Sequence, residues 1–222
     1  MIESVGWLLL WGVLVGLDLA SVVQTMIARP LVAGTVTGFI LGDPVTGATV
    51  GIVLELFALE VLPVGAARYP DYGLSAVPAA AVAAGAPGVF GSGFGVAVGL
   101  VVAYMGGKAI HLVRIENATD VGRHREALDE GDARAITGLQ MRCLGRDLFR
   151  SLVVTSLGLL FASLVVRWVP LTLQSVVYLS VATVGAALAA AITGVGRFAG
   201  RKTALPWFVL GLAGGWAGVV FG

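Results

Sequence analysis

The stretch from Leu41 to Asp71, LGDPVTGATVGIVLELFALEVLPVGAARYPD, limits the possible folds of this chain more than any other part of it. It is apolar enough for a bilayer, yet it carries Asp43, Glu55, Glu60, Arg68 and Asp71, with Pro44, Pro63 and Pro70 among them. An ionised side chain at the centre of a membrane helix costs roughly 2.5–3.5 kcal/mol on insertion scales. Proline removes a backbone donor, and irregular backbone at membrane depth survives only where protein or a watery cavity satisfies it. A plain lipid-facing helix has no use for this mixture. It points to broken helices around a binding site.

The rest of the chain supplies the membrane setting. Of its 222 residues, 58% are hydrophobic and 12% charged, with mean hydropathy +0.95. A soluble domain carries about 25% charged residues, so the expected class is an all-α polytopic membrane protein. Thirty-two glycines agree with close helix packing, and one cysteine, Cys143, excludes an intrachain disulfide framework. The N-terminus has no basic residue before Arg29, so residues 5–28 read as a first membrane helix and not a cleaved leader. Asp18 within it faces a partner or cavity, or lies near one membrane face.

Six of the eight prolines fall between Pro30 and Pro87. Segments 31–42 and 45–62 are short for full spans, so 30–87 reads as a broken-helix region with a re-entrant hairpin. Gly34, Gly38 and Gly42, then Gly47 and Gly51, recur every four residues, a spacing that lets two backbones approach. A span over 88–107 follows, with Gly91, Gly95 and Gly99 on one face. The polar segment 108–150 holds eight of the fourteen basic residues and reads as two solvated helices, 109–128 and 132–150, joined at Glu130–Gly131. Its lysine and arginine content places it in the cytoplasm. Spans at 151–166, 176–195 and 205–221 complete the C-terminal region 151–222. Arg197, Arg201 and Lys202 return the chain to the cytoplasmic side, and region 30–87 must then cross an odd net number of times.

Candidate chemistry is confined to the opening stretch. His111 and His124 lack metal-site spacing, Cys143 has no partner motif, and no GxxxxGK[ST] or GxSxG occurs. No metal, cofactor, nucleic acid or catalytic group is expected. Glu55 lies mid-segment, where it cannot easily reach water and where its carboxylate suits a hydroxyl-rich ligand. Asp71 follows a proline, at a break where its oxygens can converge on a ligand. Arg68 is expected to pair with Asp71 or Glu60, and Asp43 to cap the helix starting near residue 45. On the residues alone, a sugar site, a proton or cation site in an ion-coupled secondary transporter, and a scaffold with its acids paired to Arg68 all stay open.

Along Arg29–Pro30, Gly34, Gly38, Leu41–Gly42–Asp43, Thr46–Gly47, Gly51, Leu54–Glu55, Val64–Gly65–Ala66–Ala67 and Pro70–Asp71, the chain resembles a known family. That family is the membrane subunit IIC of the mannose/fructose/sorbose branch of the bacterial sugar phosphotransferase system. Arg68–Tyr69 depart from the small or apolar filling usual there. The resemblance implies one IIC-type domain over 1–222 in the bacterial inner membrane, without enzymatic activity of its own. It implies a IID membrane partner, commonly in trimers of IIC–IID pairs, with cytoplasmic IIA and IIB proteins and a hexose or related sugar as substrate. The phosphorylated histidine would belong to IIB. By the same resemblance Glu55, Gly65, Ala66 and Asp71 would line the sugar site, supported by Asp43, Glu60 and Arg68. IIB is expected to dock near Arg114, Arg123 and Arg125.

Overall fold

A computed structural model describes residues 2–22, 24–61, 67–86, 91–169 and 172–199. The expected span 205–221 and its glycines lie outside the described residues, as do Gly65 and Ala66. Among the described residues eight helices follow one another: α1 (Ile2–Ala20), α2 (Pro30–Leu41), α3 (Pro44–Ala58), α4 (Tyr72–Gly85), α5 (Gly91–Arg123), α6 (Arg125–Asp129), α7 (Ala133–Trp168) and α8 (Leu173–Ala199). Helices α5, α7 and α8 are long and apolar enough to cross a membrane, whereas α1 to α4 are shorter apolar helices.

Glycine contacts set the directions of these helices. Gly12 and Gly16 of α1 face Thr155 and Ser151 of α7, so the two run antiparallel. Gly95 packs on Ala79 and Ala83 of α4, and Gly106 on Asp71, which makes α4 and α5 antiparallel too. Gly93 meets Ser180, while Gly194 meets Leu59 and Glu60, so α8 runs back alongside α5. The C-terminal end of α1, the N-terminal ends of α2 and α4, and the C-terminal end of α8 therefore gather at one end of the bundle. The polar segment projects from this same end, hereafter the polar end. Residue 30 lies there and residue 85 at the opposite end, which agrees with an odd net crossing.

Helices α2 and α3 form the expected hairpin. Asp43 caps α3 by accepting the Thr46 N–H at 3.1 Å, and Gly42 turns the corner with φ of 82°. A Cβ on Gly34 would lie 2.6 Å from the Gly47 carbonyl oxygen, and one on Gly51 the same distance from that of Pro30. The two backbones are thus in direct contact. With 12 and 15 residues, the helices reach only about 18 and 22 Å, short of a hydrocarbon core of roughly 30 Å. Both open ends lie at the polar end, as in a re-entrant segment.

Two sequence readings need correction. The first helix ends at Ala20, before residue 28. Asp18 accepts hydrogen bonds from the Thr25 N–H (2.6 Å), the Ala28 N–H (3.0 Å) and the Thr25 hydroxyl (3.0 Å), which hold residues 24–29 in a loop. The acid at a membrane face is the reading that fits Asp18. The polar segment, for its part, is not a pair of separate helices. Because no proline interrupts residues 88–169, α5 and α7 carry on out of the apolar layer as an antiparallel arm. At 33 residues, α5 spans about 50 Å, some 20 Å more than the core needs. The turn falls where expected, with Gly131 at φ of 73° and Asp132 capping α7.

Candidate functional site

Glu55 faces the N-terminus of α2. Its Oε1 accepts from Nε of Arg29 at 2.6 Å and also from Nη2, while the Leu31 N–H donates to Oε2 at 3.3 Å. The carboxylate therefore pairs with Arg29 and caps a helix start that Pro30 leaves otherwise uncapped. Its side chain is 17% exposed and that of Arg29 52%, so the pair borders solvent. The reading of Glu55 as remote from water is corrected, because the short α3 places it at the mouth of the hairpin.

Asp71 has a different environment. It caps α4 through the Leu74 N–H (3.1 Å), and its own N–H donates to the Ala103 carbonyl (2.8 Å). Its second oxygen accepts from Nη1 of Arg150 at 2.8 Å, and both side chains are almost fully buried. Arg150 also donates through Nε to Asp147 (2.7 Å) and through Nη2 to the Gly16 carbonyl (3.0 Å). Ser21 donates to the other oxygen of Asp147. One guanidinium thus ties α1, α4 and α7 together, and Asp71 links them to α5. The expected Arg68–Asp71 pair does not form. Arg150 approaches from inside the bundle, where burial makes a charged partner obligatory, whereas Arg68 points outward.

Of the supporting residues, Asp43 serves as the expected cap. Glu60 closes the C-terminal turn of α3, its N–H donating to the Phe57 carbonyl at 3.2 Å, and packs against Gly194. Arg68 lines a cleft of about 480 Å³ with Tyr69, Pro70, Tyr104, Gly107, Lys108, His111 and Leu112. Glu55 and Asp71 lie at the same end of the bundle but do not converge on one pocket among the described residues.

On the arm, Arg114 folds back to donate to the Ala67 carbonyl (3.2 Å) and the Tyr69 hydroxyl (2.6 Å). Arg123 and Arg125 stay 72% and 82% exposed beside Asp120 and Asp129. The two halves of the arm are joined at Asp120. Its Oδ2 accepts from Nη2 of Arg146 at 2.6 Å, a bond that holds the carboxyl below the usual carboxylate range, helped by the charges of Arg142 and Arg123.

Asp147 and Arg150 are not singled out by the sequence, and Arg29 enters there only as part of the family motif. Arg150 was counted with the solvated segment, yet it directly precedes the apolar run from Ser151. A charge at that border, three residues after an acid, was the available signal of an interfacial ion pair.

The described residues thus combine a broken-helix hairpin, a buried acid at a helix break and a polar arm. Residues 4–214 match the family described as the PTS system sorbose-specific IIC component. The chain belongs to that family. This IIC chain is 37% identical to the sorbose-specific EIIC component of Klebsiella pneumoniae over 138 residues, covering 61% of the chain and 50% of that relative. It is 30% identical to the mannose-specific EIIC component of Escherichia coli K12 over 118 residues, covering 52% and 43%. The fructose permease IIC component of Bacillus subtilis matches 75 residues at 43% identity, covering 34% and 28%. The chain thus spans half or less of the length of these curated relatives. Among solved structures, one titled as a membrane protein superposes with TM-score 0.77 at 22% identity, covering 96% of this chain and 86% of that one. A complex of the mannose transporter ManYZ with microcin E492 gives 0.58 at 21%, with the same coverage. These likenesses support the fold, and the IIC chain is a multi-pass membrane protein.

Proposed function

We propose that this IIC chain is the sugar-translocating subunit of a phosphoenolpyruvate-dependent phosphotransferase complex, passing a hexose to a IIB partner that phosphorylates it. The observation that carries the reading is the Arg29–Glu55 pair at the mouth of a glycine-packed re-entrant hairpin. A carboxylate held by a solvent-bordering arginine can exchange that partner for sugar hydroxyls, and the freed guanidinium can donate to other sugar oxygens. Glu55 is the substrate carboxylate, and by the family resemblance Gly65 and Ala66 belong to the same sugar site. Asp71, fixed by Arg150, sets the start of α4 in place.

A IID membrane subunit completes the site, in trimers of IIC–IID pairs. The IIB protein docks on the arm at Arg123 and Arg125, with IIA upstream of it. His111 and His124 take no phosphoryl group. The polar end faces the cytoplasm, so the mouth of the hairpin and the arm face the same solution.

The test uses membranes carrying this chain and its IID, supplied with soluble IIA, IIB and the general phosphotransferase proteins. Radiolabelled hexose should become sugar phosphate only with phosphoenolpyruvate, and Glu55→Gln should abolish the product. Uptake of free sugar driven by an ion gradient without phosphate transfer would replace this reading with the ion-coupled transporter.

A further inference from the structure

The cleft beside Tyr69 belongs to neither the hairpin mouth nor the arm. Three basic side chains line it: Arg68 from the loop before α4, and Lys108 and His111 from α5. No acid lies among its lining residues. Its walls are braced from behind. The Arg114 guanidinium lies 5.0 Å from the centre of the Tyr69 ring while bonded to that residue's hydroxyl, and the Lys108 ammonium lies 4.7 Å from the centre of the Tyr104 ring. A Cβ on Gly107 would lie 3.0 Å from the Pro70 Cα, so the floor is backbone against backbone.

Depth and surroundings narrow the ligand. Lys108 is the first charge after the apolar part of α5, at headgroup level, and tyrosines with a lysine are the usual furniture of that layer. Below it on the same helix face, Val101, Tyr104 and Met105 are 48%, 60% and 49% exposed, an apolar strip continuous with the cleft. A soluble anion would use the basic residues and leave the strip bare. A phospholipid uses both.

We infer that this cleft binds the phosphate group of an anionic phospholipid, with the acyl chains lying along Val101–Met105. A zwitterionic headgroup brings its own cation toward Arg68 and Lys108 and is disfavoured. Basic pockets on the cytoplasmic side of membrane helices suit this chemistry.

The test takes the full chain with its co-purifying membrane partner, delipidated in detergent, and counts retained lipid by native mass spectrometry. Phosphatidylglycerol should bind in preference to phosphatidylcholine. The double variant Arg68→Gln/Lys108→Gln should lose phosphatidylglycerol about tenfold or more, and Lys108→Arg should keep it. Both residues are exposed, so helicity by circular dichroism should not change. Arg134→Gln, on the arm, should bind as the parent does. Equal retention of both lipids, unchanged binding by the double variant, or displacement of phosphatidylglycerol by millimolar glucose 6-phosphate through the same two residues would each overturn the assignment.

Discussion

Arg150 and Glu55 show how one interaction type serves opposite ends. Arg150 is buried between Asp71 and Asp147, where removal of the cation leaves two carboxylates without their partner. Breaking a buried pair in this way costs about 3–5 kcal/mol. Arg150→Leu should therefore lower the thermal midpoint sharply in detergent or prevent recovery of folded protein. Asp71→Asn should be milder, since asparagine still caps the Leu74 N–H and Asp147 still holds the arginine. Equal losses in the two variants would contradict the network. The Arg29–Glu55 pair is exposed on the arginine side, close to the regime in which pairs contribute about 0.2–1 kcal/mol. Glu55→Gln should accordingly keep nearly the parent's thermal midpoint while sugar phosphorylation collapses. A loss of activity that merely tracked a loss of folded protein would remove Glu55 from the site. Sequence reading found Glu55 and Asp71 because acids inside apolar runs stand out. Their partners are harder to assign, since Arg29 and Arg150 sit at segment borders where basic residues are commonplace, and only the spacing of Arg150 from Asp147 hints at a pair.

At the scale of elements, the hairpin was legible and the arm only half so. Glycine every fourth residue on two short segments leaves little room for any packing but backbone on backbone. Gly34→Val should thus destroy the α2–α3 contact and the folded yield with it. Gly145→Ala, on the arm with nothing within 4 Å of its added carbon, should stabilise α7 by about 0.5–1 kcal/mol. Comparing folded yield and thermal midpoint for the two variants checks both. In the arm, charge density concealed the continuity of α5 and α7, because a switch from apolar to polar residues looks like a helix end when it is only the membrane surface. Asp120 supplies a pH test of that arm. Its carboxyl is held below the ordinary value by Arg146, so the stabilisation is complete above about pH 3.9, the unfolded value, and fades as pH falls through the lower folded one. Hydrogen exchange along 112–128 and 134–147 should stay slow from neutrality to about pH 4, after correction for intrinsic exchange, and quicken below. Asp120→Asn should quicken it already at neutral pH.

For the whole molecule, the distribution of charge is the organising fact. Asp18 and Arg29, Glu55, Asp71, and the Asp147–Arg150 pair come from four separate parts of the sequence, yet the fold brings all of them to the polar end. The sequence supports the counting of segments, but not this convergence, which depends on the four shorter helices α1 to α4. Orientation is testable directly. In a Cys143→Ser background, Arg125→Cys should react with an impermeant maleimide in inverted vesicles and stay unlabelled in right-side-out ones. The opposite pattern would turn the polar end outward and separate it from any cytoplasmic phosphate donor.

One feature of α5 links its two surroundings. The helix runs without a break from Gly91, past Gly93 against Ser180 and Gly107 seated on Pro70, to Arg123 on the arm. Such a rod has no joint at which to absorb a load. Force applied by a protein gripping the tip acts as on a beam clamped near its middle, and the clamp is the backbone of the very loop that leads into Asp71. Whatever leans on the arm from solution therefore also presses on Tyr69 and Pro70, at the entry to α4.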